Sequence, residues 1–150
     1  MFHGFDVFGP FPKADDKRDE AELERQLTSD GDTSIGKEEL LAILDSQGLA
    51  GNVRLVEGDI RETLDSYFQE NDDRAIAIAN IDLDLYGPIK KALEIIYPRV
   101  PSGGIIILDD YGAGFPGARH AVNEFLQENR LPERIQKFAW THTPCFIVKN

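Results

Sequence analysis

The sequence has only one cysteine, Cys145, among its 150 residues. An internal disulfide framework is therefore excluded, and a reducing compartment is favoured. None of its apolar runs approaches the roughly 20 residues that a membrane-spanning helix requires. The first residues, Met-Phe-His-Gly-Phe-Asp, also lack the basic region and the long apolar region of a signal peptide. From these absences we expect a cytoplasmic protein.

Basic residues are scarce as well. The chain has 16 lysines and arginines against 27 aspartates and glutamates, which gives a formal net charge of −11. This charge disfavours nucleic acid and anionic membranes as partners, and it favours cations and small molecules. Because the length is close to that of one typical domain, we predict a single domain over residues 1–150.

Strand-like and helix-like patterns alternate along most of the chain. Apolar or strand-like runs predict strands at 2–7, 52–56, 75–81 and 105–108, and amphipathic spacing predicts helices at 34–46, 60–68, 86–97 and 118–126. Ser34 is the expected cap of the first of these helices, whereas the charged stretch 13–24 is expected to be polar and mobile. Two more runs, 135–141 and 145–148, indicate a terminal antiparallel hairpin. The fold class is therefore α/β, with a mostly parallel sheet covered on both faces.

Two acidic doublets stand where buried strands end. Asp82 and Asp84 follow one strand, and Asp109 and Asp110 follow the next. Carboxyl ends of neighbouring parallel strands point into the crevice where open α/β sheets bind ligands. Three clustered carboxylates repel one another unless a cation or a proton offsets them, and hard divalent cations prefer oxygen ligands. We therefore predict a metal site at Asp82, Asp109 and Asp110; the alternative is a set of solvated loop carboxylates.

Five segments carry a resemblance to a known family. They are Gly-Phe-Asp-Val-Phe-Gly-Pro-Phe-Pro at 4–12, Asn-Val-Arg-Leu-Val-Glu-Gly-Asp at 52–59, Ile-Asp-Leu-Asp-Leu-Tyr at 81–86, Gly-Gly-Ile-Ile-Ile-Leu-Asp-Asp-Tyr-Gly within 97–112, and Pro-Gly-Ala-Arg-His-Ala-Val-Asn-Glu-Phe at 116–125. Together they resemble the macrocin-type O-methyltransferases, which are similar to the catechol O-methyltransferase group. The resemblance implies a Rossmann-like class I methyltransferase fold that uses S-adenosylmethionine and a divalent metal, usually Mg²⁺, on a small-molecule hydroxyl such as that of a natural-product sugar.

The resemblance also implies roles for individual residues. Asp82, Asp109 and Asp110 match the family's metal ligands, and Asp82 with Asp84 are the candidate catalytic residues. Asp84 is a candidate base or substrate contact, with the N-cap of the following helix as its alternative role. Asp6 matches the acid that accepts hydrogen bonds from the adenosine ribose, and Asp59 matches the adenine-side position. For Asp6 and Asp59, a simple turn or capping role remains the alternative.

One part of the family pattern is absent from the sequence. No strand followed by a Gly-x-Gly turn precedes Gly4, so the element that would seat the methionine part of S-adenosylmethionine is not found. We therefore expect a partial methyltransferase domain, either a fragment of a longer protein or a shortened relative. The alternative functions are a non-catalytic remnant that binds or oligomerises and, on the strength of Asp82-Leu-Asp84, a haloacid-dehalogenase-like phosphohydrolase.

The missing strand has a consequence for the sheet. The resemblance implies the sheet order 3-2-1-4-5-7-6, in which strands 2 to 7 correspond to the runs at 2–7, 52–56, 75–81, 105–108, 135–141 and 145–148. Strand 7 is antiparallel. Loss of strand 1 would expose the edges of strands 2 and 4, and exposed strand edges tend to pair with other strands. We expect the strand at 2–7 to close the gap against the strand at 75–81. Pairing with another chain, as in a homo-oligomer, is the alternative, and the order 4-5-7-6 should persist in either case.

Overall fold

The computed structural model describes residues 1–29, 34–71, 75–112 and 114–150. Its strands are β1 (Phe2–Asp6), β2 (Val53–Glu57), β3 (Ile78–Ile81), β4 (Ile105–Leu108), β5 (Gln136–Lys137) and β6 (Cys145–Val148). Its α-helices are α1 (Lys17–Ser29), α2 (Lys37–Ser46), α3 (Ile60–Glu70), α4 (Tyr86–Ile96) and α5 (Pro116–Glu128). Single 3₁₀ turns occur at Ala50–Asn52, Tyr97–Arg99 and Asp109–Gly112. In the described part of the chain, no helix is long and apolar enough to cross a membrane.

The larger sheet has four strands in the order β3-β4-β6-β5. β3 and β4 run parallel and in register, with Ile81 opposite Leu108 at their carboxyl ends. β6 runs antiparallel to both β4 and β5. The strands β3, β4, β6 and β5 correspond to the family's strands 4, 5, 7 and 6, so the expected order 4-5-7-6 is confirmed. The terminal antiparallel hairpin is confirmed as well, although β5 spans two residues instead of the predicted run 135–141.

The expected closure of the sheet is wrong. β1 pairs in parallel with β2, and these two strands form a separate sheet. Side chains on α3 fix β1 in this place: the Tyr67 hydroxyl lies 2.6 Å from His3 Nδ1, and the Tyr67 ring meets Phe5 edge-on. A move of β1 by one strand position toward β3, about 4.8 Å, would break both contacts, and β1 does not pair with β3.

Much of the charged stretch 13–24, which was expected to be mobile, is helical. Within the stretch predicted to be mobile, α1 begins after Asp16, whose Oδ1 accepts a hydrogen bond from the Arg18 amide at 2.9 Å, as an N-cap side chain does. Leu23 on α1 is buried in the core. The next helix, α2, has Gly36 at its N-cap, so the prediction of Ser34 as the cap is wrong.

Apolar side chains of the sheet and helices form one core. Its fully buried members include Leu64 of α3, Leu93 of α4, Ile106 of β4, Ala121 of α5 and Ile147 of β6. Burial of each leucine or isoleucine contributes roughly 1.5–3 kcal/mol. Because α4 and α5 follow β3 and β4 directly, this packing fixes the loops at the carboxyl ends of those two strands.

Candidate functional site

The acidic cluster consists of Asp82, Asp109 and Asp110. Asp82 follows β3, and the other two open the 3₁₀ turn that follows β4. Each residue offers a carboxylate oxygen, and these oxygens all lie within 4.8 Å of one another. Exposure decreases from the exposed Asp82 through the half-buried Asp109 to Asp110, which is 5% exposed. The structure therefore brings together the three residues that the sequence predicted as metal ligands.

Asp110 also holds the loop that follows β3. Its Oδ2 accepts hydrogen bonds from the backbone amides of Leu83 at 3.1 Å and Asp84 at 2.9 Å. Asp84 has a positive φ of 59°, a conformation in which aspartate is one of the more tolerated residues. The buried carboxylate of Asp110 therefore shapes the turn that places Asp82 and Asp84 beside it.

Burial and mutual repulsion perturb the acidic groups. Burial, followed by the charges of Asp110 and Asp82, raises the pKa of Asp84 to about 7. The pKa of Asp82, whose side chain is exposed, is raised by partial desolvation of its carboxylate and then by the charges of Asp110 and Asp109. Burial also raises the pKa of Asp110, although its bonds from backbone amides oppose the rise. A hydrogen bond between the side chains of Asp84 and Asp110 favours the proton on Asp84.

Asp84 does not cap α4. The N-cap position belongs to Leu85, which makes no side-chain cap bond, and the amide of Tyr86 is bound by Asp19. The capping alternative for Asp84 is therefore wrong, and its side chain faces the acidic cluster instead.

Asp6 and Asp59 lie at the carboxyl ends of β1 and β2. Asp6 Oδ1 accepts a hydrogen bond from the Phe8 amide at 2.6 Å. The charge of Asp6 contributes to the raised pKa of Asp82. Asp59 is the N-cap of α3, accepts from the Arg61 amide and binds the Arg61 guanidinium, which lowers the pKa of Asp59. Both residues make turn or cap contacts, and their cofactor roles stay predictions.

Sequence reasoning missed two acids of the α1 region. Asp19 is 0% exposed and binds backbone amides of α4 and α5, and Asp15 binds an amide of α4. The available signal was Asp16 followed by a run of helix-forming residues with acids in the first turn, which is typical of a helix start. That signal indicates α1, but it does not indicate the distant amides that its acids bind.

Comparison with known proteins identifies the family. The profile of the Macrocin-O-methyltransferase (TylF) family matches residues 2–145. This chain belongs to that family. The match confirms the resemblance deduced from the five segments, and it includes every predicted site residue.

Two curated relatives methylate natural products, according to their names. Mycinamicin III 3''-O-methyltransferase of Micromonospora griseorubida is 31% identical over 87 residues, which cover 58% of this chain and 32% of the relative. The 8-demethyl-8-(2,3-dimethoxy-alpha-L-rhamnosyl)-tetracenomycin-C 4'-O-methyltransferase of Streptomyces olivaceus is 28% identical over 119 residues, which cover 75% of this chain and 43% of the relative. The aligned regions span less than half the length of each relative.

Solved structures share the fold. The calicheamicin methyltransferase CalS11 superposes with a TM-score of 0.71 at 28% identity, covering 97% of this chain and 59% of that protein. The O-methyltransferase NovP gives a TM-score of 0.82 at 22% identity, covering 99% of this chain and 59% of that protein. These neighbours confirm the class I methyltransferase fold expected from the sequence.

Proposed function

We propose that this chain carries the metal and acceptor half of an S-adenosylmethionine-dependent O-methyltransferase that acts on a small-molecule hydroxyl. The convergence of Asp82, Asp109 and Asp110 at two adjacent strand ends is the observation that carries the proposal. Family membership supports methyl transfer as the reaction. The names of the two curated relatives support a natural-product sugar as the acceptor class.

The donor set fits a hard divalent cation such as Mg²⁺. Three carboxylates supply only oxygen ligands. Burial, and then repulsion from neighbouring carboxylates, raises the pKa values of Asp82 and Asp110, and a cation would relieve that repulsion. Asp82, Asp109 and Asp110 would hold the ion. When bound there, Mg²⁺ would supply positive charge next to the acceptor oxygen, which favours loss of the hydroxyl proton.

Asp84 is the proposed base. Its carboxyl group is hydrogen-bonded to the side chain of Asp110 and lies close to the charge of Asp82. In its ionised form, Asp84 would take the proton of the acceptor hydroxyl while Asp82 helps to orient the oxygen. Bound S-adenosylmethionine would supply the methyl group to this oxygen, with its sulfur as the leaving group.

Asp6 and Asp59 are the proposed contacts to the adenosine part of S-adenosylmethionine. They stand at adjacent carboxyl ends of the β1–β2 ladder and offer carboxylate oxygens as acceptors. Part of the Asp59 carboxylate is already engaged by Arg61, so the ribose contact of Asp6 would be the stronger of the two.

We expect the 150-residue chain alone to bind S-adenosylmethionine weakly and to show little methyl transfer. Asp6 and Asp59 can serve the adenosine, but the sequence has no strand with a Gly-x-Gly turn to seat the methionine carboxylate. Isothermal titration calorimetry with and without excess magnesium measures the affinity. Micromolar binding would contradict this prediction and would point to a substitute for the turn elsewhere in the chain.

The second candidate function is self-association. Among the strands that the structure describes, β1 pairs only with β2 and β3 pairs only with β4, so each has one unpaired edge. Phe2 and Ile78 on these strands are 65% and 64% exposed. Open apolar strand edges are templates for pairing with another chain, and this observation favours a homo-oligomer.

Light scattering across a concentration series tests the second candidate. We expect a dimer that Ile78→Lys converts to a monomer, because a charged residue on an edge strand opposes pairing. Ile43→Lys, on the exposed side of α2, is the matched control and should leave the dimer intact. A wild-type chain that stays monomeric at every concentration would reject self-association. The phosphohydrolase alternative gains no support from the family match.

A further inference from the structure

Asp19 joins the beginnings of two helices that lie far apart in sequence. Its side chain is completely buried. Oδ2 accepts a hydrogen bond from the amide of Tyr86, the first residue of α4, and Oδ1 accepts one from the amide of Gly117 in the first turn of α5, both at 2.8 Å. Amides in the first turn of a helix have no partner within that helix and favour negative charge. One carboxylate therefore stabilises both helix starts.

Asp15 extends this arrangement to a third helix. Its Oδ1 accepts from the amide of Gly87 at 3.1 Å, and its Oδ2 accepts from Arg61 Nη1 at 3.1 Å. Arg61 is in the first turn of α3 and also binds Asp59. The segment around the start of α1 thus contacts the beginnings of α3, α4 and α5.

Two glycines leave room for these carboxylates. A Cβ atom at Gly117 would lie 2.0 Å from Asp19 Oδ2, and one at Gly87 would lie 1.7 Å from Asp15 Oδ2. Real Cβ atoms do not approach other atoms so closely, so any side chain at either position would displace the acid. The close approach depends on glycine at both helix starts.

The helix starts are also the ends of the loops that carry the acidic cluster. The loop with Asp82 is fixed at one end by the β3–β4 ladder and at the other by the start of α4, and the turn with Asp109 and Asp110 leads from β4 toward the start of α5. We propose that Asp19, assisted by Asp15, is a positioning residue that holds these two loops in the arrangement that brings the three carboxylates together. The proposal rests on the proposed metal site for its functional meaning.

The test compares Asp19→Asn with Asp16→Asn as the matched control. Asp16 belongs to the same segment, but the hydrogen bonds of its side chain go to Arg18 within that segment. Two quantities are measured on folded protein: the dissociation constant for Mn²⁺, from the electron paramagnetic resonance of the free ion, and the hydrogen-exchange rates of single amides in metal-free protein.

In Asp19→Asn we expect about tenfold weaker Mn²⁺ binding than in the wild type. We also expect about tenfold faster exchange at Leu83 and Asp84, which donate to Asp110. Asp16→Asn should match the wild type in both.

A different exchange pattern would overturn the proposal. If Asp19→Asn speeds exchange at Tyr86 and Gly117 alone, while Leu83, Asp84 and the Mn²⁺ affinity stay unchanged, Asp19 only stabilises helix ends. If Asp19→Asn does not fold, Asp15→Asn decides, because Asp15 is more exposed; unchanged Asp84 exchange in that variant would also overturn the proposal. Wild-type protein that binds no Mn²⁺ would instead contradict the proposed metal site, and the exchange rates would still test the positioning role.

Discussion

In an Asp109→Asn variant, we expect millimolar magnesium to leave the melting temperature unchanged, whereas it raises that of the wild type. A ligand that binds only the folded state stabilises it by mass action, by about 2.7 kcal/mol at a hundredfold excess over its dissociation constant. For a domain of this size, that corresponds to roughly 5–10 °C. Asp82→Asn should behave in the same way, because both residues belong to the acidic cluster.

Asp109 and Asp82 are better probes than Asp110, because Asp110 also accepts the amides of Leu83 and Asp84, and its loss would disturb the loop itself. Asp45→Asn on α2 makes the same charge change outside the cluster and should retain the full magnesium effect. Differential scanning fluorimetry with and without magnesium measures all four proteins. An undiminished magnesium shift in both Asp82→Asn and Asp109→Asn would contradict the assigned ligands.

We expect Gly117→Ala to lower the free energy of unfolding by roughly 3 kcal/mol. The added methyl group would overlap the buried carboxylate of Asp19 and separate it from the amide it binds. The expected sign opposes helix propensity, which favours alanine over glycine by up to about 1 kcal/mol. Urea denaturation followed by circular dichroism measures the effect.

The matched control for this change is Gly51→Ala. A Cβ atom at Gly51 would meet nothing within 4 Å, and Gly51 has no positive φ. We expect this variant to stay within about 0.5 kcal/mol of the wild type. Equal or greater stability of Gly117→Ala relative to the wild type would show that Asp19 does not depend on the close approach to α5.

The acidic cluster was predictable because its residues obey a local rule. A near-continuous apolar run marks β3 and a continuous one marks β4, which has the predicted bounds, Ile105–Leu108. Parallel neighbours in register bring their carboxyl ends to one edge, so the acids that follow each strand meet. Sequence position alone therefore placed Asp82 beside Asp109 and Asp110.

Asp19 was not predictable, because its partners are backbone amides. They lie 67 and 98 residues away along the chain, and a backbone amide leaves no signature in the sequence. The site of β1 was mispredicted for a related reason. Tyr67 contacts His3 and Phe5, which lie more than 60 residues away along the chain, and such distant contacts leave no local pattern in the sequence.

Paramagnetic broadening by Mn²⁺ in amide-resolved NMR spectra tests the central claim most directly. At substoichiometric Mn²⁺, we expect selective loss of the amide signals of residues 81–84 and 108–112, which surround the acidic cluster. The same signals should persist in Asp109→Asn. Broadening centred on the acids of α1, or spread over the acidic surface while residues 81–84 and 108–112 remain sharp, would contradict a metal site at Asp82, Asp109 and Asp110.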